Sequence, residues 1–354
     1  MTKYISPLRD LNAGFAVDTK TAADARKPLR ALFLCVDFPN RPAASCPHPD
    51  PQFYYDLLAG DGLRIYRAVS YGRLDLTVEL FPGWVRMPKE DADYRMERVI
   101  SWETHRTYIE DAMNAAEGID FDACDILYIV PAEGSAVPYS PTMTAKEWPV
   151  RAKNGTGCGL VVTFGADMFS RRGKLFCHEN GHILGLPDLY LYEVPEGIRD
   201  CFAHCGPFDL MGLIEGTAPD YIGWHKWRLG WIDDEQVLEV LPGEKAETVL
   251  TPLGKAGGLK LLNLPLDGEN GCVVEYRTAE GLDAELETDG AVFWRIRGGV
   301  PNGAGCVTLI PPEPEKYLCP DPRSSDGLIR AGMTAERYGI RVSHLGGGRI
   351  LVER

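Results

Sequence analysis

No apolar run in these 354 residues approaches the ~20 that a membrane-spanning helix requires. Positive charge is in short supply: 37 lysines and arginines face 51 aspartates and glutamates, a net charge of −14. That balance disfavours nucleic acid or an anionic membrane as the main partner. Internal repeats are lacking, and the one low-complexity spot, Gly346-Gly347-Gly348, reads as a hairpin turn. Residues 1–10 lack the apolar core of a signal peptide. Histidine is scarce as well, with 7 in the chain, so two at metal-binding spacing stand out. What is left is a globular composition, 45% hydrophobic and 25% charged, long enough for two domains or one large one.

The cysteines number ten. Cys35, Cys124 and Cys272 lie in apolar, strand-like runs and read as small core residues. Cys201 and Cys205 lie in a loop-like stretch, where they can form a disulfide or stay as thiols. A CxxxC without a second pair is a poor metal signature.

The segment His178-Glu179-Asn180-Gly181-His182-Ile183-Leu184-Gly185-Leu186-Pro187-Asp188 carries the chemistry. On a helix, residues four apart differ by only about 40° in direction, so His178 and His182 can offer ring nitrogens to one zinc ion. Glu179 points about 100° away from His178, towards a water on the metal rather than into its first shell. Gly185 can take the left-handed conformation that ends a helix, and Pro187 cannot continue one. A sharp turn there can bring Asp188 back as third ligand and leave a fourth position open, as a catalytic zinc site requires. His204 is a rival third ligand, with Glu193 and Asp200 weaker rivals. A thermolysin-like site wants a glutamate about twenty residues past the second histidine, where Phe202 stands.

Strand and helix signals alternate through the first half. Leu29–Phe38 reads as a buried strand, Arg73–Leu80 as a half-buried one, and residues 125–130 and 160–164 as further buried strands. Short helical pieces are expected at 53–58 and 63–69, and a long helix over 95–116 with Val99, Trp102, Tyr108, Ile109, Ala112 and Met113 on its apolar face. Residues 131–158 read as surface loops, followed by the His178 helix from near Ser170. After Trp231 the chain turns to short β-rich segments separated by Gly, Pro or Asp, which favours a compact all-β module. The division expected is residues 1–236 and 237–354.

A second constellation, Cys205-Gly206-Pro207-Phe208-Asp209-Leu210-Met211-Gly212, lies downstream. Its Met211 can supply a soft apolar floor beneath three ligands without coordinating the metal. HExxHxxGxxD followed by such a Met-turn resembles the metzincin arrangement. More widely, the chain resembles the immune inhibitor A group of zinc metalloproteases, the M6 peptidases of the metzincin clan. The resemblance rests on Leu34-Cys35-Val36-Asp37-Phe38-Pro39, Ser70-Tyr71-Gly72, Gly83-Trp84-Val85, the HExGHxLGLPDLY run, Trp224–Trp231 ending in Leu-Gly-Trp, Glu275-Tyr276-Arg277 and Gly290–Ile296, and so covers roughly residues 29–298.

The resemblance implies an α+β protein, with a metzincin-like catalytic domain built on a mixed twisted sheet and an active-site helix, followed by a smaller all-β domain. It implies a zinc endopeptidase acting on a protein or peptide substrate, with His178, His182 and Asp188 as ligands, Glu179 as general base and Met211 in the Met-turn; a monomer is expected. Leu213 stands where some metzincins carry a tyrosine; Tyr190 or Tyr221 can supply a phenol near the substrate carbonyl instead. Calcium sites are common among relatives, though no Asp-rich loop here has matching ligand spacing. Secretion is implied too, while the signal-free start leaves a cytoplasmic location open. Two other readings stay open: a narrow-specificity metal-dependent peptidase or amidase, and a binding protein with a structural or vestigial zinc site.

Overall fold

Leu29–Asp37 forms strand β1, and Phe33, Leu34, Cys35 and Val36 in it are fully enclosed. An apolar run without alternation suits a strand covered on both faces, as in a parallel sheet. The computed structural model describes residues 7–14, 21–198, 200–314 and 325–354, which fall into two units. The fold is mixed α and β, with several sheets and few helices.

One unit takes in residues 21–67 and 74–185. After β1 come helices α1 (Pro51–Tyr55) and α2 (Asp61–Val69), strand β2 (Leu76–Arg86) and helix α3 (Trp102–Ala115). Strands β3 (Ile126–Pro131), β4 (Thr142–Thr144), β5 (Val150–Arg151), β6 (Gly157–Cys158) and β7 (Leu160–Thr163) lead to helix α4 (Met168–Ile183). The main sheet runs β2-β1-β3-β7-β4; β4 alone is antiparallel to its neighbour. Leu34, Val36 and Phe38 of the β1 region, Leu127 and Ile129 of β3, and Tyr108, Ile109 and Ala112 of α3 share one apolar core.

Three elements differ from the sequence-based expectation, each for a local reason. Strand β2 does not stop at Leu80. It runs on to Arg86 because Pro82 and Gly83 are absorbed by a shift of register between Phe33 and Cys35, with Gly83 at φ 91°. Helix α3 does not start at Arg95, which sits at φ 50° and closes a short 3₁₀ turn. It starts at Trp102 because the Ser101 side chain accepts from Thr104 N–H at 3.1 Å, satisfying a first-turn donor. Val99 therefore lies outside the helix and Trp102 at its exposed start, rather than on a buried face. The 131–158 stretch holds three short strands instead of loops alone.

Helix α4 is seated closely. A Cβ on Gly62 would fall 2.3 Å from the Phe176 ring, and one on Gly173 would fall 2.6 Å from the Gly62 nitrogen, so the two backbones meet where only glycine fits.

The other unit comprises residues 7–14, 68–73, 186–198, 200–314 and 325–354. It holds helix α5 (Gly223–Arg228) and strands β8 (Val237–Glu239), β9 (Lys245–Val249), β10 (Leu261–Pro265), β11 (Asn270–Arg277), β12 (Gly290–Arg297), β13 (Val307–Leu309), β14 (Thr334–Arg337), β15 (Ile340–Gly346) and β16 (Arg349–Glu353). They form sheets of order β13-β12-β11-β10-β8 and β14-β15-β16-β9, sharing a core that includes Leu262, Val274, Phe293, Val342 and Ile350. Gly347 and Gly348, both at positive φ, make the β15–β16 turn. Among the described residues no helix is long and apolar enough to cross a membrane.

Candidate metal centre

His178 and His182 lie one turn apart on α4, ring centroids 5.0 Å apart and planes at 83°. The helix ends on schedule: Leu184 is its C-cap, and Gly185, at φ 88°, turns the chain away while its N–H donates to His182 O. Pro187 follows, and Asp188 is carried back to the histidines. One nitrogen of each imidazole and one oxygen of the Asp188 carboxylate lie within 4.8 Å of one another, a group able to hold a metal ion. Among the described residues this is the one such cluster of three or more histidine, cysteine, aspartate or glutamate side chains. His178 and Asp188 are buried, and His182 is half-buried.

The Asp188 carboxylate is fixed by residues that sequence reasoning passed over. Its Oδ2 accepts from the Tyr192 hydroxyl at 2.6 Å and from Asn302 Nδ2 at 3.4 Å, while its N–H donates to Asn302 Oδ1 at 2.7 Å. Asn302 also donates to the Tyr192 hydroxyl at 2.8 Å, which closes the ring of contacts. Partners of this kind orient a ligating group and are as much a part of a metal site as the ligands. Tyr192 stands four residues beyond Asp188 and could have been suspected; Asn302, 114 residues away, gave no local signal.

Helix α4 is pinned to the sheet beneath it through the variable residue of the motif. Asn180 accepts from the Tyr128 hydroxyl of β3 at 2.7 Å and donates to the Tyr66 hydroxyl, which itself donates to Cys177 O at 3.0 Å. Glu179 accepts from Thr142 Oγ1 at 2.7 Å. Thr142 belongs to β4, the antiparallel edge strand, so that edge runs beside the glutamate.

No protein-family model matches this chain, and no curated protein does either.

Met211 is completely buried, and its carbonyl accepts from Leu189 N–H at 2.9 Å, one residue past Asp188. Asp209 holds that turn in shape. Its Oδ1 accepts from Met211 N–H at 2.6 Å, and its Oδ2 accepts from Ile222 N–H at 2.6 Å and bonds His225 Nδ1 at 2.9 Å. Next to it Arg277, fully buried, pairs with Glu275 and Asp283 and donates to Phe208 O at 2.8 Å. Lys226, equally buried, pairs with Asp220 at 2.6 Å, and burial holds its ammonium below the usual lysine range.

The other candidate residues lie outside the metal-holding group. Tyr221 is wholly buried, its ring packed near Trp231 and His225. Tyr190 is half-buried between Tyr192 and Phe202. His204 sits against Gly305, and burial, with Arg297 nearby, lowers its imidazole from the usual value. Glu193 is exposed, and Asp200 accepts from Phe202 N–H. The suspected Cys201–Cys205 disulfide is not formed, since Cys205 is a buried thiol. Cys124 is a second departure from expectation: it is half-buried, not core, because it lies just before β3 rather than within it.

Proposed function

We propose that the protein is a zinc-dependent endopeptidase of the metzincin kind, as its resemblance to the M6 peptidases implies. The observation that carries this reading is the convergence of His178, His182 and Asp188 within 4.8 Å, with Glu179 next to the first ligand in sequence. Two imidazoles and one carboxylate are three ligands, the number found in catalytic zinc sites that keep a position open. A zinc ion held there would polarise a scissile carbonyl and acidify a water.

The remaining work falls to side chains. Glu179, steadied by Thr142, takes a proton from the attacking water and delivers it to the departing amine nitrogen. Tyr192 and Asn302, both bonded to Asp188 Oδ2, keep that carboxylate oriented at the ligand position. Met211, tied through its carbonyl to Leu189, keeps the ligand-bearing loop from drifting. The substrate is a protein or peptide, and the metzincin assignment extends to the sheet that carries α4.

The test is zinc content and casein cleavage for the wild type and Glu179→Gln, with and without a chelator. Stoichiometric zinc in both, with chelator-sensitive cleavage by the wild type alone, is the expected result. Zinc without cleavage in either would favour a narrow substrate or a binding role over a general endopeptidase. Absence of stoichiometric zinc would overturn the reading at its root.

A further inference from the structure

Two thiols, Cys124 and Cys158, meet beside an open cleft in the unit that carries α4. Strands β3 and β7 pair in parallel with Leu127 opposite Val161, and each cysteine lies three residues before one of these, in the approach to its strand. Local bonds hold the two approaches together: Gly157 N–H donates to Asp122 Oδ1 at 3.0 Å, and Phe121 N–H donates to Thr156 Oγ1 at 3.1 Å. The Cys158 thiol donates to Leu160 O at 3.3 Å and reaches Asp125 O, the residue after Cys124, at 3.7 Å.

The two sulfurs are not equivalent. Cys124 is half-buried and lines a cleft of about 290 Å³ together with Arg30, Leu32, Thr77, Glu79 and Ile119. Cys158 is buried behind it. A hydrogen bond from Cys158 holds the Cys124 thiol below its ordinary value, and that bond, with burial, pushes Cys158 well up. Cys46, another half-buried thiol, is raised by burial instead. Thiolate character and access together select which cysteine reacts.

We propose that Cys124 and Cys158 form a thiol–disulfide redox site, with Cys124 the attacking thiol, Cys158 the resolving thiol, and a small disulfide admitted by the cleft as the oxidant. The Cys124 thiolate attacks one sulfur of that disulfide, forming a mixed disulfide and expelling the first small thiol. The Cys158 thiolate then attacks the Cys124 sulfur, forming the protein disulfide and expelling the second. Two protein S–H bonds and one external S–S bond are lost. One protein S–S bond and two external S–H bonds are gained, the protons passing to the departing thiolates. The crosslink ties the approach to β3 to the approach to β7, the strand that leads into α4. It stands independently of the metal reading.

The full chain, reduced and then freed of reductant, is treated with hydroxyethyl disulfide, quenched by alkylation at intervals, and mapped by peptide mass without reduction. A peptide pair linked through Cys124 and Cys158, lighter by two hydrogens, is expected. Cys124 should enter reaction at least about tenfold faster than Cys46. Cys158→Ser should stop at a mixed disulfide on Cys124. Equal rates at Cys124 and Cys46, or a wild-type chain that accumulates mixed disulfide without the internal link, would overturn the proposal. Both of these readouts come from the wild type, so they hold even if the variant folds poorly.

Discussion

Replacing Asp209 by alanine isolates the contribution of one buried carboxylate to the loop that carries Met211. The carboxylate serves Met211 N–H, Ile222 N–H and His225 Nδ1 at 2.6, 2.6 and 2.9 Å, and none of these contacts reaches solvent. Alanine leaves three buried polar groups without their acceptor. Each hydrogen bond to a charged acceptor contributes about 1.5–3 kcal/mol net, and an orphaned buried donor costs about 1–3 kcal/mol. Partial relaxation and entry of water offset some of the sum, so a loss of roughly 3–5 kcal/mol is expected, in the range for breaking a buried polar pair. In thermal unfolding this is a drop of roughly 5 °C for a chain of this size. Urea titration followed by tryptophan fluorescence gives the free energy directly. The milder change Asp209→Asn keeps one acceptor oxygen and should fall between wild type and the alanine variant. A loss below about 1 kcal/mol for Asp209→Ala would refute the argument, since the turn would then hold its shape without these bonds.

Two further outcomes are expected. Tyr192→Phe removes the 2.6 Å hydrogen bond to Asp188 and should weaken zinc binding about tenfold in a chelator competition, with the unfolding of the metal-free protein little changed; an unchanged zinc affinity would show that the phenol does not orient the ligand. His105 is buried with Nε2 3.0 Å from Thr163 Oγ1, and burial lowers its imidazole to about 4 from 6.5. The folded chain therefore binds fewer protons than the unfolded chain between those values, so stability falls as the pH drops from 6.5 towards 4. Wild type should lose roughly 2 kcal/mol more than His105→Asn between about pH 7 and about pH 4.5 in urea titrations, and parallel losses in the two proteins would rule out this origin.

What the sequence by itself determined is what lies within a few residues. The spacing of His178 and His182, the helix stop at Gly185 and the enclosed run of β1 are fixed by helix period, glycine φ and apolar continuity, and each is legible without a partner. The β-rich texture after Trp231 is local in the same way. Boundaries were less secure, because α3 begins where Ser101 caps it and β2 ends where a bulge accommodates Pro82 and Gly83. Tertiary structure alone decided the groups that complete the site: Thr142 on an edge strand beside Glu179, Asn302 on Asp188, and Asp209 beneath Met211. It also brought together the segments that carry Cys124 and Cys158, through Gly157 on Asp122 and Phe121 on Thr156, contacts that no short-range pattern encodes. A hydrogen bond between residues 114 apart depends on where two distant segments come to rest, and sequence spacing carries no record of that.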